Sequence, residues 1–170
     1  MELVDLCSLE TWAALEKDIH DRSGLNPAVF NVDGIRVNPN PLWPNRLCPE
    51  IKANPKGQAF ICATAHMNLA NTARQQRQAV IEECDAGMVK LVVPIFFEGT
   101  FLGAAGGCGL LLGDGEVETF LVAKITEMPE EKIERLSEAI PSISEQKAQA
   151  LADFIQERIE GIVANYKARH

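Results

Sequence analysis

Residues 88–112, MVKLVVPIFFEGTFLGAAGGCGLLL, constrain the fold more than any other stretch. Val89, Leu91, Val93 and Ile95 alternate with the period of two that a strand requires. Glu98-Gly99 is a two-residue hairpin turn, so strands over 88–97 and 101–112 are antiparallel partners. The simplest register sets Ile95 against Leu102, Val93 against Ala104, Leu91 against Gly106 and Val89 against Cys108. One face then opposes large side chains to nearly absent ones. Interior glycines weaken a strand, and they mark close approach by a ligand or by another backbone. A cavity over Gly106 and Gly107 is one reading; a bulky helix filling the same space is the other. On the first reading the walls are Met88, Leu91, Val93, Ile95, Phe96, Gly106 and Cys108, with Trp43 as a lid. A leucine at Gly106 is then expected to block the cavity without unfolding the chain.

The remaining segments supply the partners of that hairpin. Ser8 caps a helix over 9–22, and Gly24 stops it. AVFNV, Asp33-Gly34 and IRV read as strand, turn and strand. NPNPLWPNRLCPE carries four prolines and reads as a loop until at least Pro49. Asn54-Pro55 opens a helix to about Gln78, with Phe60, Ala63, Met67 and Ala70 expected on its buried face. Cys62, His66, Leu69 and Ala73 form the neighbouring stripe. A strand over 79–84 precedes the hairpin. A short helix begins near Pro129, and a last helix runs over about 144–167 behind a capping box. The sum is an α+β chain, one domain over 1–170 with a core over about 8–164. Its expected architecture is a PAS-like five-stranded antiparallel sheet with flanking helices on one face.

Charge and cysteine usage narrow the function. The formal net charge is −8 with no basic stripe, which argues against nucleic acid and anionic membranes. The acidic N-terminus lacks the basic start of an export signal, and no apolar run reaches the ~20 residues of a membrane span. A cytoplasmic location is the default expectation, and there the five cysteines are thiols. Cys48, Cys62, His66 and Cys84 are candidate ligands for zinc, iron or an iron-containing cofactor, but no CxxC pair is present. The same residues also suit the lining of a small-molecule pocket, a thiol redox switch or a cysteine-dependent enzyme. No phosphate loop or nucleophile elbow accompanies them, so catalysis is not expected.

Several stretches together resemble the PocR-type sensory domain of bacterial signalling and transcription regulatory proteins. They are the helix ending in SGL, AVFNVDG, LCPEIKANPKGQAFICATAH, AVIEECDAGMVKLVVPIFFEGTFLGAAGGCGLLL and EMPEEKIERLSEAIPSISEQKAQALADFI. The resemblance covers about 8–164, and Cys48, Cys62 and Cys84 match its three cysteine positions. It implies a receptor for a small organic molecule, such as a diol or a hydrocarbon derivative, in a PAS-like pocket. Asp85 and Cys108 depart from its pattern, and both fall where the pocket is expected. It also implies a signalling effector module or a partner protein. The Leu151, Phe154, Ile155, Ile159, Ile162, Tyr166 stripe predicts a homodimer that passes ligand state through the terminal helices.

Overall fold

Ser8 accepts a hydrogen bond from the Thr11 amide and opens helix α2 (Leu9–Ser23), which follows a single turn, α1 (Leu3–Leu6). Gly24 closes α2 and strand β1 (Asn26–Asn31) follows. A loop leads to α3 (Leu47–Ala53). Asn54 then caps α4 (Pro55–Gly57) through its side chain, which runs into a π-helical segment, Gln58–Ala63, and on into α5 (Thr64–Gln76). Strands β2 (Val80–Glu83), β3 (Val89–Phe97), β4 (Thr100–Cys108) and β5 (Leu111–Leu112) come next. They are followed by α6 (Thr119–Thr126), α7 (Glu130–Leu136), β6 (Ser142–Ile143) and α8 (Glu145–Arg169). This computed structural model describes residues Met1–His170.

The main sheet is antiparallel with the order β1-β4-β3-β2. It has four strands, not the expected five. Residues 35–37 contribute one bridge, Phe30 to Arg36, and no strand. The Asn31 side chain accepts from the amides of Asp33 and Ile35, which holds the chain in a turn. The prolines that follow then remove the donors a ladder would need. A separate two-stranded parallel ladder joins β5 to β6.

The β3–β4 hairpin turns at Glu98-Gly99, both at positive φ, but its register differs from the simple one. Phe96 pairs with Phe101 and Ile95 with Gly103, so Leu102 is the extra residue of a bulge. Every pair beyond it moves by one: Val93 faces Ala105, Leu91 faces Gly107 and Lys90 faces Cys108. Gly106 is therefore not the floor of a hollow that a larger side chain could fill. A Cβ there would collide with the Leu91 carbonyl oxygen on the neighbouring strand. Gly106→Leu breaks the strand pairing instead of blocking a cavity.

Helices cover both faces of the sheet, not one. On the first face α1, α2 and α8 pack on Val29, Val89, Leu91, Val93 and Ile95 in the largest apolar cluster, centred on Trp12, Leu15, Ile19 and Ile155. The α8 stripe expected to meet a second copy is used here: Leu151, Ile155, Ile159 and Ile162 are buried within the chain, and Tyr166 packs edge-on against Phe97. On the second face α5 lays Leu69 and Ala73 on Val92 and Ala104. Its buried face is thus the His66, Leu69, Ala73 stripe, while Phe60 and Met67 are 59% and 62% exposed. A smaller cluster joins α3, α6 and α7 through Leu47, Ile51, Val122 and Ile133. The α6 helix has no counterpart in the sequence reading. No helix is long and apolar enough to cross a membrane.

Candidate functional site

The second face of the sheet is only half covered. Beyond Val92 and Ala104, between the sheet and the π segment, lies a cavity of about 260 Å³. The β1, β3 and β4 strands supply its floor through Ala28, Phe30, Lys90, Val92, Ala104 and Cys108. The α3 helix supplies Cys48, Ile51 and Lys52, and the π segment with α5 supplies Gln58, Ile61, Cys62 and His66. The turn after β2 adds Cys84 and Ala86, and Met88 lies just before β3. Pro39, Pro41 and Trp43 of the proline-rich loop close one side. A π segment widens the turn and reorients the side chains that follow it, a feature often found at functional sites.

Of the expected wall residues, Trp43, Met88, Leu91, Gly106 and Cys108 do line this cavity. Val93, Ile95 and Phe96 do not. Val93 and Ile95 point into the closed core with Leu91's side-chain cluster, and Phe96 stacks edge-on with Phe101 at the far end of the hairpin. β3 is apolar on both faces, so its alternation could not tell which face was hollow. Leu91 lines the space although its side chain belongs to the closed core. Trp43 is 37% exposed and is the one tryptophan at the site; Trp12 is buried on the far face and donates to the Leu3 carbonyl at 3.0 Å.

Cys48, Cys62, Cys84 and His66 are brought to the same cavity, together with Cys108. They do not converge as ligands: no three His, Cys, Asp or Glu side chains stand close enough to hold one ion. The residues present therefore do not fit the expected zinc or iron centre. All five cysteines are free thiols. Burial pushes the Cys62 thiol up to about 11, against the lowering pull of Lys52. Burial raises Cys84 as well, against hydrogen bonds from the Met88 and Ala86 backbone. It holds Cys48 far above the ordinary thiol range. These are neutral, weakly polar wall groups rather than nucleophiles.

Asn45 locks one corner of the site. Its amide nitrogen donates to the Gly109 carbonyl at 2.7 Å and to Cys48 Sγ at 3.2 Å. Its carbonyl oxygen accepts from the Leu47 and Cys48 amides. Cys48 Sγ also lies 3.6 Å from Met88 Sδ. The loop, the start of α3 and the end of β4 are thereby fixed to one another by one side chain, which sequence reading gave no reason to single out.

The polar groups of the cavity are unusual. His66 is 7% exposed, lies 3.9 Å from the Phe30 ring and has no partner for Nδ1. Burial, and then the nearby Lys90 and Lys52 ammonium groups, lower its pKa to about 4, so it is a neutral imidazole at pH 7. Gln58 Oε1 is likewise buried without a partner. Arg36, Lys52 and Lys90 all line the space, and no aspartate or glutamate does.

A family model described as the sensory domain found in PocR matches residues 5–166. No curated protein and no solved structure matches the chain.

Proposed function

The chain belongs to the PocR sensory-domain family, and we propose from this that it is a receptor for one small, mainly apolar organic molecule held in the cavity between the sheet and the π segment. The observation that carries the reading is the cavity itself. It is concave, walled largely by Ala, Ile, Met, Phe and Trp side chains, and dotted with a few polar atoms that lack partners. That combination is the usual form of a ligand site. Its size places it near the small end of such sites, so the ligand is a small molecule rather than a nucleotide or a peptide.

A receptor is favoured over a catalyst by the state of its thiols. A cysteine nucleophile needs a lowered pKa and a base within hydrogen-bond reach. Here burial raises Cys48, Cys62 and Cys84, and the buried Nδ1 of His66 accepts from none of them. The same facts weigh against a thiol redox switch. The loop that carries Trp43 is the natural element to respond to occupancy, and an attached module or a partner protein would read that response.

The test uses Trp43 as a reporter. Titrating a panel of small organic molecules should change Trp43 emission, with Trp12 as a constant background, and Trp43→Phe should abolish the change. Ala28→Leu places extra methyl groups on the cavity floor and should weaken binding roughly tenfold or more while the circular dichroism spectrum stays native. Unchanged affinity in that variant would remove the cavity from consideration.

A further inference from the structure

In a chain of net charge −8, the cavity wall is cationic. Lys90 carries the argument. It sits in the middle of β3, is 8% exposed, and forms no ion pair and no side-chain hydrogen bond. Glu82 stands opposite it in the β2 register, on the same face of the sheet, but is exposed at the sheet edge and makes no salt bridge with it. Its ammonium lies 5.4 Å from the centre of the Phe30 ring, which places it over the floor of the cavity. A buried cation without a counter-ion is costly and is retained where something else supplies the charge.

Its neighbours deepen the imbalance. Lys52 forms no ion pair either; partial burial of its ammonium, then the repulsion of Arg36 and Lys90, lowers its pKa although the residue as a whole is exposed. No carboxylate forms an ion pair with Lys52 or His66, and none lines the cavity between them. Arg36 is the exception among the three cations. It feels the attraction of Glu16 and donates to the Pro27 carbonyl and to Asn26 Oδ1, so its charge is answered from within the chain. The uncompensated pair is therefore Lys52 and Lys90, beside an imidazole with a free Nδ1.

We infer that the ligand is an organic anion: an apolar body against the Ala, Ile and Met walls, with an oxyanion head between Lys90, Lys52 and His66. This rests on the receptor reading above and names its ligand class. A carboxylate and a phosphate monoester share the required chemistry, since each accepts several charge-assisted hydrogen bonds at once. The neutral His66 completes the set as a donor from Nδ1 or a neighbouring dipole, without competing for the proton of the head.

Three matched probes test it: phenylacetate, phenyl phosphate and 2-phenylethanol, titrated calorimetrically into the wild-type chain, Lys90→Met and Lys52→Met. The expected result is that at least one anion binds about tenfold or more tightly than the alcohol, and that Lys90→Met erases the difference. The anion that wins identifies the head group. Equal or tighter binding of the alcohol, or an anion preference that survives in Lys90→Met, overturns the inference and leaves the receptor reading standing. Failure of both anions to bind also overturns it. The receptor reading then depends on the Trp43 and Ala28→Leu measurements alone.

Discussion

The two faces of the main sheet are built to different rules, although they share the same strands. On the α2–α8 face the odd-numbered residues of β3 meet a continuous apolar layer, and Trp12, Leu15, Ile19 and Ile155 are sealed from solvent. On the other face the even-numbered residues meet α5 over only part of their length, and two lysines, an arginine, a neutral histidine, four thiols and an unpartnered glutamine oxygen surround open space. The first face contributes stability. The second gives some of it up, because unpaired polar groups and an unfilled volume both cost free energy. Binding sites are commonly found where a fold tolerates such costs.

Three measurements break or sharpen this contrast. The largest effect belongs to the closed face. Trp12→Ala removes a fully buried ring and its hydrogen bond to Leu3, and should cost about 4 kcal/mol in urea unfolding with no change in ligand affinity for whatever molecules still fold it. A loss under about 1 kcal/mol would show that this face is not the stabilising one.

The second effect comes from His66 and depends on pH. In the unfolded chain the imidazole protonates near 6.5; in the folded chain it does so at about 4. Between these values the unfolded state holds the proton and the native state does not, so stability is full above about pH 6.5 and falls as pH drops towards 4. From pH 7.5 to 5 the loss due to this residue is on the order of 2 kcal/mol. Glu16, raised by burial, acts in the opposite direction, so the quantity to read is the difference between the wild-type chain and His66→Phe. Parallel pH profiles for the two would refute the burial of a neutral imidazole.

The smallest effect has the opposite sign. Lys90→Met removes a buried cation that no carboxylate answers, and should raise the unfolding midpoint by the equivalent of about 1 kcal/mol in the absence of ligand. A destabilised Lys90→Met would show that the lysine is held by the fold and not kept for something outside it.

Much of the scaffold was legible because short-range chemistry determines it. Ser8 and Asn54 cap the helices they were expected to cap, and Glu98-Gly99 closes the hairpin it was expected to close, whereas α8 is capped by Ser144 and not through the Ser142–Glu145 capping box. What was not legible depends on longer-range geometry. One extra residue, Leu102, moves the whole β3–β4 register, and nothing in GTFLGAAGG marks the bulge. The alternation of Val89, Leu91, Val93 and Ile95 identifies a buried face, but β3 is buried on both, so Val93 and Ile95 were assigned to the hollow although they point into the closed core. Phe60 and Met67 are exposed because the face that packs on the sheet is one stripe further round, with His66 and Leu69. The gathering of Cys48, Cys62 and Cys84 at one cavity was anticipated, yet their spacing in three dimensions, too wide for a metal, was beyond any one-dimensional pattern. The signal that was present and passed over is Lys90: a lone lysine within MVKLVVPI is a charge placed where a strand buries both sides.

The short β5–β6 ladder has a mechanical consequence. Gly109, which lines the cavity and is gripped by Asn45, lies two residues before Leu111, whose amide donates to the Pro141 carbonyl. The Gly113 amide likewise donates to the Ile143 carbonyl, and Ser144 begins α8 immediately afterwards. The base of a rod of 25 residues, about 37 Å long, is thus bolted to the rim of the chamber.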